Sequence, residues 1–156
     1  MVHEPPFDVP YSTGRYRRVF IGQVLIVRWY GTAEPGDFTN LMNECRRYVA
    51  QTGSKVVHLA IQSPTHPPLS AEVQIEAARV LRAAFKYCES IHNVVESQGF
   101  AASIIRSVVL AVWMAAGLRG KLFFYTSLDR AFDDVALRVP STKTELVARA
   151  REVGLA

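Results

Sequence analysis

The four histidines of this chain are the residues best suited to proton transfer or metal binding near neutral pH, but their spacing gives such chemistry little support. His58 and His92 fall in predicted strands, whereas His3 and His66 lie in proline-rich segments. No two are four residues apart, and no metalloprotease, nucleophile-elbow, phosphate-loop or dinucleotide motif is present. His58 and His92 would approach each other if their strands were neighbours, although histidines held within the sheet are the more common arrangement. The sequence therefore predicts a protein that is not an enzyme and has no bound metal or cofactor.

Cys45 and Cys88 are far apart in the sequence, and both fall on the apolar side of predicted helices. A thiol in that position is usually a small core residue. Two cysteines at this spacing match neither a zinc motif nor a redox motif. We expect reduced cysteines in a cytoplasmic protein, because the chain also starts without the charged segment and apolar run of a secretory signal.

Charge and hydropathy argue against two kinds of partner. The 156 residues carry 18 Lys and Arg against 14 Asp and Glu, a net charge of +4. The basic residues are scattered, and the cluster of Arg15, Arg17 and Arg18 is too small for the phosphate contacts of a specific nucleic-acid interface. The most apolar stretch, residues 101–117, contains Arg106 and is shorter than the ~20 residues of a membrane span. We therefore predict no nucleic-acid partner and no membrane span.

The apolar patterns predict a single α/β domain over residues 15–156, preceded by a flexible, proline-rich arm over residues 1–14. Apolar runs of strand length alternate with helical spacing in the order β-β-α-β-α-β-α-β-α-α. This order predicts a single mixed, mostly parallel five-stranded sheet with an opening β-hairpin and packed helices. The strands are predicted over residues 17–21, 24–30, 55–61, 90–96 and 121–127, and the helices within residues 32–53, 71–88, 100–116, 127–137 and 142–153.

Two segments and the element order resemble a known superfamily. The opening hairpin reads RRVFIGQVLIVRWYG and the late segment reads KLFFYTSLDRAFDDVA. Over roughly residues 16–139 the chain is similar to the STAS domains of anti-sigma-factor antagonists and to their SpoIIAA-like relatives. The resemblance implies a STAS-like fold and a non-enzymatic regulatory or signalling module that acts by binding another protein.

In many members of that superfamily a partner kinase phosphorylates a Ser or Thr that follows the third strand. The matching segment here, residues 63–70, contains three prolines and neither an acidic residue nor a glycine. The resemblance implies Ser63, Thr65 and Ser70 as candidate phosphorylation sites, and Ser70 is the best positional match. Ser70 is also well placed to cap the following helix, which is the common role of serine at that position.

The loops that follow the strands form a second candidate site. In open parallel sheets, ligands bind beyond the carboxyl ends of the strands. Small hydroxyls and backbone amides beside helix N-termini favour phosphate or carboxylate. The candidate ligand-binding residues are His66, Ser97, Gln98, Thr126 and Ser127, although each serine could instead simply cap its helix.

The predicted helix over residues 100–116 carries the candidate partner-binding surface. A helical projection places Leu110, Trp113 and Met114 on the same side as Arg106, opposite the core-facing residues. An ordinary surface helix would be polar there, whereas aromatic, Met and Arg side chains are enriched at protein interfaces. We predict contact with a partner protein or with a second copy in a homodimer; the alternative is that the terminal helices or the arm cover this surface.

Overall fold

The computed structural model describes residues 6–62, 69–96 and 121–156. Within them the chain forms a mixed sheet of six strands that lie in sequence order, β1 to β6. Two neighbouring pairs, β1–β2 and β2–β3, are antiparallel, and the other three are parallel. The α/β class and the mixed, mostly parallel sheet are confirmed. The strands are β1 (Tyr11–Ser12), β2 (Tyr16–Ile21), β3 (Val24–Trp29), β4 (Val56–Gln62), β5 (Cys88–Val95) and β6 (Leu122–Tyr125).

The predicted count of five strands is wrong for the described residues, because β1 forms within the segment expected to be an arm. Tyr11 and Ser12 pair with β2, and the backbone N–H of Phe20 donates to the carbonyl of Phe7 at 2.9 Å. A two-residue strand contains too few positions to show an alternating pattern, so β1 has no recognisable signal in the sequence. The pairing satisfies part of the outer edge of β2, which would otherwise present free backbone groups.

The predicted hairpin joins β2 to β3 through Gly22 and Gln23, with Ile21 opposite Val24. Gly22 has φ +55°, and no described residue other than glycine has positive φ. Positive φ at the first turn position alone is what a type II′ turn requires. This turn matches the twist of the two strands and fixes their register.

The helices that the structure describes are α1 (Asp37–Thr52), α2 (Ala71–Ala84), α3 (Leu128–Ala136) and α4 (Lys143–Glu152). Helices α1 and α2 pack on one face of the sheet, here called the front face, where they cover Leu25, Val27 and Ile91. Helices α3 and α4 pack on the opposite back face over Ile26 and Leu59. Strands β2 to β5 thus bury alternate residues in two separate cores. No helix in the described part is long and apolar enough to cross a membrane.

Local capping signals set the starts of three helices as the sequence predicted. Ser70 accepts a hydrogen bond from the backbone N–H of Val73, and Ser127 accepts one from that of Arg130. Thr142 and Glu145 form a reciprocal capping box at α4. Each cap satisfies an otherwise unpaired donor and contributes about 1 kcal/mol.

Candidate functional site

A cavity of about 90 Å³ lies between the front face of the sheet and helices α1 and α2. We call it the front cavity. Its apolar wall includes Leu41 and Met42 of α1, Ala77 and Leu81 of α2, and Trp29 at the end of β3. A cavity of about 150 Å³ lined by similar side chains admits benzene. The front cavity is smaller than this, so a molecule that it holds must be more compact than benzene.

Three polar side chains of the sheet line the same cavity: His58 and Gln62 of β4, and Asn93 of β5. Gln62 donates its side-chain amide N–H to Oδ1 of Asn93 at 3.4 Å. Among the described residues, no group hydrogen-bonds to the buried Nδ2 of Asn93 or to the buried Nε2 of His58. A buried polar group without a partner costs about 1–3 kcal/mol, so these two atoms destabilise the protein unless something else binds them.

His58 is held neutral by its surroundings. Burial, with a smaller contribution from the nearby His92, lowers the pKa of His58 to about 4. A neutral imidazole carries a proton on only one of its two nitrogens. Nε2 of His58 can therefore act as either a donor or an acceptor toward a molecule in the front cavity.

Cys45 of α1 and Cys88 of β5 line the front cavity and contact each other. Both are free and buried, as expected for core thiols. Cys88 lies in β5, however, and not on the predicted helix, and the packing of α1 onto the sheet brings the two residues together. A hydrogen bond between the thiols, together with burial, raises the pKa of Cys45 well above its usual value. Cys45 is therefore protonated at neutral pH and adds no charge to the cavity wall.

Helices α1 and α2 are linked by hydrogen bonds at the N-terminus of α1. The cap residue there, Gly36, has no side chain that could cap the helix. The carboxylate of Glu76, on α2, takes that role. It accepts hydrogen bonds from the backbone N–H of Gly36 at 2.9 Å and from Oγ1 of Thr39 at 2.8 Å. A carboxylate is favourable at a helix N-terminus, so this contact fixes the distance between the two helices that cover the cavity.

A second polar cluster, here called the back-face chain, lies on the other side of the sheet. Oγ of Ser90 is 3.0 Å from Nε2 of His92, and Nδ1 of His92 is 2.9 Å from the hydroxyl of Tyr125. That hydroxyl donates to Oδ2 of Asp134, on α3, at 2.8 Å. Phe123 stacks on the His92 ring with a centroid distance of 4.9 Å.

The proton positions in this chain follow from its last member. An ionised carboxylate only accepts, so the Tyr125 hydroxyl donates to Asp134 and accepts from Nδ1–H of His92. Nε2 of His92 then accepts from the Ser90 hydroxyl. Burial, with a contribution from Arg138, lowers the pKa of His92 to about 4, and Asp134 only partly opposes this. Burial and the bond to Asp134 raise the pKa of Tyr125.

The back-face chain has the residue types of a nucleophile and its base, but Ser90 and His92 are fully buried. No substrate atom can reach the serine hydroxyl without displacing the surrounding core. Each member of the chain is instead satisfied by its neighbour, which is how buried polar groups are usually stabilised. We interpret this cluster as the connection between α3 and the sheet.

Three of the candidate phosphorylation, ligand-binding and partner-binding residues lie in the described part. Ser70 is exposed and caps α2. Thr126 and Ser127 line a shallow depression of about 480 Å³ together with Arg130, Asp133 and Asp134. The others lie outside the described residues: Ser63, Thr65 and His66 before α2, Ser97 and Gln98 after β5, and Arg106, Leu110, Trp113 and Met114 in the predicted helix 100–116.

His58 and His92 lie on adjacent strands but on opposite faces of the sheet. His58 is opposite Ile91 in the register, and the next residue along β5 is His92. Because side chains alternate between faces, the two imidazoles do not form one site. Within residues 6–62, 69–96 and 121–156, no three His, Cys, Asp or Glu side chains are grouped so that they could hold a metal ion.

Sequence reasoning missed Gln62 and Asn93. The available signal was their polarity: Asn93 stands in the apolar run of β5, and Gln62 ends β4. A buried amide in a strand needs a partner, so such a residue is a reason to look for a cavity or a ligand beside it.

No family model matches the chain, and neither curated proteins nor solved structures provide a match.

Proposed function

We propose that this protein is a non-catalytic binding domain whose front cavity holds a small, mostly apolar molecule. One observation carries the proposal: a cavity with a largely apolar wall contains two buried polar atoms, on His58 and Asn93, that have no partner in the part of the chain that the structure describes. Binding sites for small molecules typically combine an apolar surface with a few convergent polar groups. A ligand that pairs with these atoms would offset their desolvation cost.

The position of the cavity in the sheet supports the same function. Trp29 and Gln62 are the last residues of β3 and β4, and Asn93 is two residues before the end of β5. The cavity thus extends toward the carboxyl ends of the parallel strands, where ligands of open α/β sheets bind. We further propose that the protein is cytoplasmic, in line with the reduced state of its cysteines.

Filling the cavity tests the proposal. Ala77, on α2, lines the cavity and is 4% exposed, so Ala77→Leu places additional methyl groups in the space. The matched control is Ala50→Leu, on the exposed side of α1. The experiment is a titration of the ¹⁵N-labelled protein with small apolar fragments, followed by amide NMR shifts.

Several fragments should shift the amide signals of β4, β5 and α2 in the wild type and in Ala50→Leu, and these shifts should be absent in Ala77→Leu. Ala84→Val, which fills less of the cavity, provides an intermediate case if Ala77→Leu is poorly folded. Equal shifts in the wild type and a well-folded cavity-filling variant, or no shifts in the wild type, would contradict the proposal.

The regulatory function implied by the STAS resemblance is a second proposal, and one described residue favours it. Ser70 is exposed at the start of α2, where a kinase could reach it. A phosphate there would face the positive end of the helix dipole. In this proposal the protein binds a partner protein or a second copy through Arg106, Leu110, Trp113 and Met114, and phosphorylation of Ser63, Thr65 or Ser70 controls that contact.

Purification from the native host, followed by mass spectrometry, tests the second proposal. The expected result is a phosphopeptide that spans residues 63–70 and a co-purifying partner or dimer that is lost in Trp113→Glu. An unmodified peptide under several growth conditions, together with an unchanged hydrodynamic size of Trp113→Glu, would remove its support.

A further inference from the structure

We infer that the molecule bound in the front cavity presents a neutral oxygen acceptor, such as a carbonyl group, to Asn93 and His58. This inference rests on the proposed function, because it specifies the chemistry of the ligand that the cavity holds.

Asn93 requires an acceptor. Its Oδ1 already accepts from Gln62 at 3.4 Å, which leaves the two N–H groups of Nδ2 directed elsewhere. Nδ2 is buried without a partner, and the whole residue is 3% exposed. An amide nitrogen is only a donor, so an acceptor atom is what completes its hydrogen bonding.

His58 lies within reach of the same ligand group. It stands opposite Ile91 on the neighbouring strand, and Asn93 is the next residue on that face of β5. Neighbouring strands lie about 4.8 Å apart and two residues span about 6.6 Å along a parallel strand, so these two diagonal positions are about 8 Å apart at the backbone. One small polar group between the two side chains can therefore contact both Nδ2 of Asn93 and Nε2 of His58.

The described lining favours a neutral ligand. It contains no Lys, Arg, Asp or Glu, and the two thiols of Cys45 and Cys88 contact each other in a buried position. A carboxylate bound there would be taken out of water without an opposite charge, which is strongly unfavourable. A ketone, ester, amide or alcohol oxygen carries no such cost.

Four compact molecules with nearly the same shape separate these possibilities: 2-butanone, 2-butanol, 2-methyl-1-butene and propionate. They place a carbonyl, a hydroxyl, a methylene group and a carboxylate on similar carbon skeletons. Each is titrated into the ¹⁵N-labelled wild-type protein at pH 7, and its Kd is obtained from the amide shifts of β4 and β5. The side-chain NH₂ signals of Asn93 are followed in the same spectra.

We expect at least one of the two neutral oxygen probes to bind about tenfold more tightly than the alkene, since pairing a buried polar group has an effect of this order. The same probe should shift the Asn93 NH₂ signals downfield, and propionate should bind more weakly than that probe. The ketone and the alcohol together show which oxygen the site prefers. Asn93→Leu should reduce the preference over the alkene to less than about twofold, and Ala50→Leu, on the exposed side of α1 away from the cavity, should leave it unchanged.

The outcomes distinguish this inference from the proposed function. If the alkene binds as tightly as both oxygen probes, or if propionate binds most tightly, the cavity is a ligand site but the inference of a neutral acceptor is wrong. If none of the four molecules binds, both fail. The Asn93 NH₂ shift is measured in the wild type, so the test does not depend on the folding of the variants.

Discussion

The two faces of the sheet differ in how the ring nitrogens of their histidines are hydrogen-bonded. His92, on the back face, has a partner at each ring nitrogen: Ser90 at Nε2 and Tyr125 at Nδ1. His58, one strand away on the front face, has a buried Nε2 without a partner and lies beside a cavity. Burial lowers the pKa of both to about 4. Because both imidazoles have a lowered pKa, that shift does not separate the proposed binding position from the structural one, whereas the unpaired atom beside the front cavity does.

A fall in pH should have the largest effect on the stability of the protein, and the histidines of both faces should contribute to it. Both histidines have a lower pKa in the folded protein than the ordinary value of 6.5. Below that value the unfolded chain takes up protons that the folded protein does not, so stability falls as the pH drops from about 7 to about 4. Each histidine contributes roughly 3 kcal/mol to this loss.

Urea unfolding at a series of pH values measures this effect. The quantity to compare is the slope of the free energy of unfolding against pH. His58→Leu and His92→Leu should each show a shallower loss of stability over the same pH window. Burial would raise the pKa of Asp37, but its bonds to Arg15 and to the backbone N–H of Glu34 lower it overall. Protonation of Asp37 therefore affects stability only below about pH 4. A stability that is flat between pH 7 and pH 4 would contradict the burial of both imidazoles.

At pH 7, removal of the His92 side chain should lower the free energy of unfolding more than removal of the His58 side chain. His92→Leu leaves the buried Ser90 hydroxyl and the Tyr125 hydroxyl each short of a partner, which predicts a loss of about 2–4 kcal/mol in the free energy of unfolding. His58→Leu removes an unpaired atom, so its cost should be less than about 1 kcal/mol. Urea denaturation of the two variants gives the difference directly. Equal losses of stability would contradict the expected difference between His92 and His58.

The smallest expected effect is that of Asn93→Leu. This change removes an unpaired Nδ2 and a long hydrogen bond of 3.4 Å from Gln62, and it adds apolar surface to the cavity wall. We expect a change of less than about 0.5 kcal/mol in either direction, measured in the same denaturation series. A loss above about 2 kcal/mol would mean that Asn93 is satisfied in the folded protein. That result would contradict the expected difference between the two faces.

Local signals in the sequence predicted the elements that depend on local physics. The apolar spacing around Leu41 and Cys45, the glycine of the hairpin, and the caps at Ser70, Ser127 and Thr142 each involve residues within a few positions of one another. β1 was not predicted, because a strand of two residues depends on its partner strand rather than on its own pattern.

The candidate site could be predicted only in part. The sequence directed attention to the carboxyl ends of the strands, and Gln62 and Trp29 do lie there. Whether a polar side chain such as Asn93 has a partner depends on residues from other elements, which no local pattern encodes. The contact between Cys45 and Cys88 depends in the same way on how α1 packs against β5.

The most direct test of the account is a crystal structure of the protein soaked with 2-butanone. The account predicts the ketone in the front cavity, with its oxygen within hydrogen-bonding distance of Nδ2 of Asn93 and its ethyl group against Leu41 and Leu81. A cavity occupied only by ordered water under saturating ketone, or a ketone whose oxygen points away from both Asn93 and His58, would contradict it.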